Sequence, residues 1–201
     1  MSIIAVFVND ERALIGVDTQ VFGPDGAPAS ISKMVPLVHM NAVLAYRGTA
    51  MFLEMLFGAC HRQGGTFDSL ADQLPEILAG VSVEFAAVAA HLGYRGARIE
   101  AHNLVFVGWS DAQKRMVCWG FDQATQADGF QRAEYRNWYG APGIRSRITL
   151  PLDRDIAALK LVASAQVQLM HEAAPGEPAG GRLIVAQLTE THMTIGAVCD
   201  L

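Results

Sequence analysis

Charge, cysteine and lysine are all scarce in this sequence. Only 17% of its 201 residues are charged while 51% are apolar, which excludes a disordered chain and points to much buried sheet or to an oligomeric surface. The formal net charge of −5 comes with scattered rather than clustered arginines, so no basic footprint for nucleic acid exists. The three cysteines, Cys60, Cys118 and Cys199, are far apart and set in apolar stretches. That excludes a disulfide framework and reads as buried, reduced thiols. No apolar run approaches the roughly 18 residues that span a bilayer, and no basic segment precedes the apolar stretch near the start. The expectation is a cytoplasmic protein with neither a membrane anchor nor a signal peptide. His39, His61, His91, His102, His171 and His192 form no HxH, HExxH or Cys/His pair with ligand spacing, and there is no P-loop, GxGxxG or GxSxG. These absences remove the commonest zinc, nucleotide and serine-hydrolase motifs, and no metal or other cofactor is expected.

The apolar periodicity gives the elements. Ile3 to Val8 is apolar throughout, Asn9-Asp10-Glu11 supplies a turn, and Ala13 to Val17 is apolar again, a hairpin of two largely buried strands. Turn formers fill Phe22 to Pro28, and Met34 to His39 with Ala42 to Tyr46 read as a second strand pair around Met40-Asn41. From Thr49 the period changes. Met51, Phe52, Met55, Leu56 and Ala59 mark a helix ending near Gly64-Gly65, and Leu70, Leu74, Ile77, Leu78, Val81 and Phe85 mark another reaching His91. Thr66 or Asp68 caps this second helix, and Pro75 is expected to disturb its first turns. Asn103 to Trp109 and Arg115 to Phe121 follow as strands, then an irregular segment through Gly143. A third helix spans Asp153 or Asp155 to His171, and Leu183 to Leu188 with Met193 to Val198 closes the chain as a hairpin. Helices segregated from antiparallel hairpins predict an α+β fold in which two sheets lie between helix layers. With no linker and no repeat, residues 1–201 read as a single domain.

Two segments suggest ligand contacts. Gln131 to Tyr139, with Arg132, Tyr135, Arg136, Trp138 and Tyr139, mixes aromatics with cations, which suits stacking on a ligand or packing at a sheet edge. Gly180-Gly181, before the last hairpin, reads as turn chemistry or as a close approach to a ligand.

The opening segment carries the chemistry. Ser2 stands behind the initiator Met, Asp18 follows the second strand, and Lys33 opens a later one; Lys33 is one of three lysines among fifteen basic residues. A Ser hydroxyl needs a base, and an N-terminal amine with a pKa of about 7.7 to 8 is poised for that work near neutrality. Removal of Met1 would give Ser2 both groups. A nearby Lys33 ammonium would lower the amine's pKa and stabilise charge developing on the hydroxyl oxygen, and Asp18 would hold Lys33 in place.

Ser2, Asp18, Lys33 and Gly48, the last ending the small-residue strand Ala42-Val43-Leu44-Ala45-Tyr46-Arg47, resemble the opening of the N-terminal nucleophile (Ntn) hydrolases, in particular the proteasome β-subunits and the related bacterial ATP-dependent protease subunit. Counting back from Asp18 puts Ser2 on the nucleophile position, whereas counting back from Lys33 puts Met1 there. The resemblance implies a four-layer αββα sandwich and a peptidase or amidohydrolase with Ser2, Asp18 and Lys33 as catalytic residues. It also implies a homo-oligomer, such as a ring, that takes a peptide or amide substrate. Active relatives carry a Ser between glycines in the loop that corresponds to Tyr139-Gly140-Ala141-Pro142-Gly143, where Ala141 or Pro142 stands here. Ser146 is the nearby hydroxyl, and the family's next Asp and Ser find no match. A catalytically inactive member with a structural or binding role is therefore the second expectation.

Overall fold

A computed structural model describes residues 2–22, 27–92, 102–123, 129–143, 149–176 and 179–201. The first sheet has five antiparallel strands in the order β10 (Trp138–Ala141), β1 (Ile4–Val8), β2 (Arg12–Val17), β11 (Arg182–Thr189) and β12 (Met193–Asp200). The second, also antiparallel, runs β5 (Met34–Leu37), β6 (Ala42–Arg47), β7 (His102–Ser110), β8 (Arg115–Gln123) and β9 (Gln131–Tyr135). A small hairpin of β3 (Gln20–Phe22) and β4 (Pro28–Ser30) lies between β2 and β5 in the chain. Helices α1 (Ala50–Gln63) and α2 (Phe67–His91) follow β6, and α3 (Ile156–Ala173) precedes the last hairpin.

Three cores define four layers. Alternate residues of the sheets, among them Ile4, Val6, Ile15, Val43, Val105 and Cys118, meet between the two sheets. On the outer face of the first sheet Ile3, Ala5, Phe7, Leu14 and Leu183 pack against Leu159, Val162, Ala163 and Val167 of α3. On the outer face of the second, Leu44, Leu104, Phe106 and Phe121 pack under Phe52, Leu56, Leu70, Leu74, Leu78 and Phe85 of α1 and α2. The fold is thus the four-layer αββα sandwich that the resemblance implies. It explains why β1 is apolar without alternation: all five residues are buried because both faces are covered. Gly108 permits one such covering, since a Cβ there would lie 2.5 Å from the Phe67 ring and 2.9 Å from the Ala42 Cβ.

Several expectations hold and some need correction. The first hairpin, both early helices, α3 and the closing hairpin stand within two residues or so of their expected bounds. Thr66 caps α2, its hydroxyl accepting from the Ser69 N–H at 3.2 Å, and Asp155 caps α3 by accepting from the Ala158 N–H at 2.8 Å. Pro75 stands inside α2 without ending it. The segment expected to be irregular after β8 is instead strand: β9 pairs with β8, and β10 pairs with β1. Arg132 stacks over Trp119 at 3.9 Å from the ring centroid, so this guanidinium is used inside the chain at the sheet edge. The reading that no run is long enough to span a bilayer is also corrected for α2. Its 25 residues include an 18-residue window of mean hydropathy 1.3, long and apolar enough by length and composition. Asp72, Glu76 and Glu84 interrupt the run in sequence, while Leu70, Leu74, Leu78, Val81, Phe85 and Ala89 form the stripe buried on the sheet.

Candidate active site

Ser2 lies two residues before β1 and is buried. The antiparallel pairing of Ile4 with Val17 carries one residue further, so that Asp18, just past β2, comes beside the next backbone amide. The Ile3 N–H donates to Asp18 Oδ1 at 2.9 Å. Lys33 stands one residue before β5, held in line because its carbonyl accepts from the Tyr46 N–H at 3.0 Å. Its ammonium reaches the other carboxylate oxygen, donating to Asp18 Oδ2 at 2.8 Å and to the Gln20 carbonyl at 2.6 Å. The structure therefore brings Asp18 and Lys33 into one buried ion pair, with Asp18 0% and Lys33 3% exposed, directly beside the Ser2–Ile3 peptide.

A third donor closes the carboxylate. The Gly180 N–H donates to Asp18 Oδ2 at 3.2 Å, and the Gly180 carbonyl accepts from the Thr19 and Gln20 amides. The Gly180-Gly181 pair is thus the turn that docks the last hairpin on the site. Gly181 adopts a φ of +75°, with Thr19 Oγ1 2.8 Å from where a Cβ would be. Burial pulls the Lys33 pKa below that of an ordinary lysine, Asp18 opposes this by pairing and hydrogen bonding, and the neighbouring Arg47 charge adds to the lowering. A lysine so placed is a fixed cation that neither water nor counterions screen well.

Two site residues carry no motif. Arg47, the last residue of β6, donates from Nε to the Ser2 carbonyl at 2.9 Å and from Nη1 to Asn103 Oδ1 at 2.9 Å. Gln166, fully buried on α3, donates from Nε2 to the Ile4 carbonyl and to the Pro142 carbonyl, each at 2.9 Å. It ties the start of β1 to the loop after β10. That loop, Ala141-Pro142-Gly143, presents no hydroxyl where active relatives of the resembled family have one, and Ser146 lies outside the described residues.

A cavity of about 560 Å³ opens between the sheets, walled by Asn103, Asp122, Tyr135, Trp138, Tyr139 and the loop Gly140 to Gly143. Asp122 accepts from Asn103 Nδ2 at 2.6 Å, from the Tyr139 hydroxyl at 2.6 Å and from the Tyr135 hydroxyl at 3.2 Å. Burial and this carboxylate both push the Tyr139 phenol upward in pKa, so it stays protonated and donating. Among the described residues no group of three or more His, Cys, Asp or Glu side chains could hold a metal ion.

No protein-family model matches the sequence, and no curated protein matches it. Among solved structures the chain is similar to the Anbu (Gly-1) mutant from Hyphomicrobium sp. strain MC1, with a TM-score of 0.65 and 12% identity over 98% of this chain and 88% of that one. At that identity the likeness is one of fold, and it extends over nearly the whole chain.

Proposed function

We propose that this protein is a proteasome-like Ntn hydrolase that cleaves an amide bond, working as a cytoplasmic homo-oligomer built from one domain over residues 1–201. The observation that carries the reading is the buried Lys33–Asp18 pair, with Asp18 also holding the Ile3 amide next to Ser2. Once Met1 is removed, the Ser2 amine takes the proton of its own hydroxyl as the oxygen attacks the substrate carbonyl carbon. The amide C–N bond breaks, the proton passes to the leaving amine, and the acyl group rests on Ser2 as an ester. Water activated by the same amine then hydrolyses the ester and restores the hydroxyl. Lys33 lowers the amine's pKa by like-charge repulsion and favours negative charge on the oxygen, and Asp18 orients it.

The absence of a hydroxyl at Ala141 and Pro142 supports a second reading, a catalytically inactive member of this fold with a structural or binding role. Intact mass of the protein from its native host separates the two, together with labelling by a β-lactone. The hydrolase reading requires loss of Met1 and one lactone adduct on Ser2 that disappears in Ser2→Ala. Retention of Met1, or equal labelling of the variant, supports the inactive member.

A further inference from the structure

Three polar residues lie side by side on three adjacent strands of the second sheet. Arg47 of β6 is directly opposite Asn103 of β7, and Asn103 is directly opposite Asp122 of β8. Their side chains join in a row: Arg47 Nη1 to Asn103 Oδ1 at 2.9 Å, then Asn103 Nδ2 to Asp122 Oδ1 at 2.6 Å. Tyr139 and Tyr135 anchor the far end by donating to Asp122. At the near end the same guanidinium donates from Nε to the Ser2 carbonyl. This is a direct polar tie from the second sheet to Ser2, which leads into β1 of the first.

We propose that Arg47 is a positioning residue for Ser2: the Arg47–Asn103–Asp122 row fixes the backbone of the nucleophile across the gap between the sheets. The inference rests on the hydrolase reading for its catalytic consequence, but not for its structural content. The physical argument is the geometry of the fork. A guanidinium presents rigid, coplanar donors, so Nη1 on Asn103 fixes where Nε points, and Nε fixes the Ser2 carbonyl. The N–H of that same Ser2–Ile3 peptide is already held by Asp18. Ser2 is thereby clamped from both sheets. Reacting groups displaced by about 1 Å lose about 100-fold in rate, so a clamp of this kind has a kinetic signature. The row also walls the 560 Å³ cavity through Asn103 and Asp122, so an occupant of the cavity touches the anchor of the clamp.

Arg47 is also a cation near Lys33. Among the described residues, the charged and titratable groups around this clamp are Asp18 after β2, Lys33 before β5 and Arg47 on β6, with Asp122 on β8 and Tyr139 on β10 at the far end of the row; α3 offers the neutral Gln166. Removing the Arg47 charge therefore raises the pKa of the Ser2 amine, whereas moving the fork while keeping a charge does not.

The test follows lactone acylation of Ser2 by intact mass across pH in the full chain, separating the maximal rate from the half-saturating concentration. Expected are maximal rates lowered about 10- to 100-fold in Arg47→Lys, Arg47→Met and Asn103→Ala, with half-saturation little changed. The pH midpoint should move upward in Arg47→Met alone. A second readout needs no activity: hydrogen exchange, read by mass spectrometry over residues 2–8, should speed up in Arg47→Met and Asn103→Ala relative to residues 12–17. Unchanged exchange over 2–8 overturns the clamp. So does acylation of Arg47→Met at the wild-type rate and midpoint. If the wild-type protein takes no label while exchange over 2–8 responds as expected, the clamp stands and the hydrolase reading falls.

Discussion

Replacing Asp18 with Asn tests the central pair without changing its shape. The carboxamide oxygen can still accept from the Ile3 amide, but the Lys33 ammonium, 3% exposed, loses the opposite charge that sat 2.8 Å away. Removing one member of a buried ion pair leaves the other uncompensated and costs about 3–5 kcal/mol. The cost should depend on pH in a definite sense. In the wild type, burial already lowers the Lys33 pKa against the raising influence of Asp18. In Asp18→Asn only the lowering influences remain, so the folded variant sheds the lysine proton at a lower pH than the folded wild type. Below both folded pKa values the full deficit is present. As pH rises from the variant's folded pKa to that of the wild type, the variant recovers by up to about 1.4 kcal/mol per pH unit, because its unfolded state then binds the proton that its folded state lacks. Urea unfolding followed by tryptophan fluorescence at intervals from about pH 6 to about pH 10 reads this directly. A deficit below about 1 kcal/mol, or one that stays constant over that range, refutes the reasoning.

His102 is buried against the Phe52 ring with centroids 4.7 Å apart and hydrogen-bonded to the Tyr46 hydroxyl, and burial lowers its pKa from 6.5 to about 4. Its folded value lies below its unfolded one, so stability is complete above about pH 6.5 and falls by about 3 kcal/mol as pH drops to about 4. His102→Gln should flatten that part of the acid limb in denaturation experiments. Gly181→Ala puts a side chain at a φ of +75° and against Thr19 Oγ1, and should lower stability by about 1–2 kcal/mol or more, seen as a reduced Tm. Gln166→Leu strips the Ile4 and Pro142 carbonyls of a shared donor and should cost about 1–3 kcal/mol in urea unfolding. Wild-type stability in that variant would show that the bridge contributes nothing.

What the sequence displays, and what it hides, follows from the kind of partner each residue has. Asp18 and Lys33 were legible because each is a lone charge at the end of an apolar strand, where a buried side chain must have a charged partner. Arg47 and Gln166 were not. What ties them to the start of β1 is a backbone carbonyl, at Ser2 for one and Ile4 for the other, and a carbonyl is present at every residue and leaves no mark. The sandwich was legible from the continuous apolar runs of β1 and β6, which only a strand covered on both faces can carry. β9 and β10 were hidden for the opposite reason. Arg132, Glu134, Arg136 and Asn137 interrupt the alternation, and the pairing that makes strands of them is supplied by β8 and β1, remote in sequence. The β3–β4 hairpin is three residues a side, too short to show a period.

The three donors to Asp18 among the described residues set an order of events for the chain. They come from Ile3 and Lys33, each 15 residues away, and from Gly180, 162 residues away. A growing polypeptide has the first two early and the third only roughly 150 residues later, after every described strand of the two sheets except β11 and β12 has been made. Long-range closure of this kind is entropically expensive and slow compared with local pairing. The surroundings of Ser2 are therefore completed late, and any local opening that lifts the β11–β12 hairpin off Thr19 undoes them first. The molecule carries its own delay: the earliest-made residue of the site waits for nearly the last.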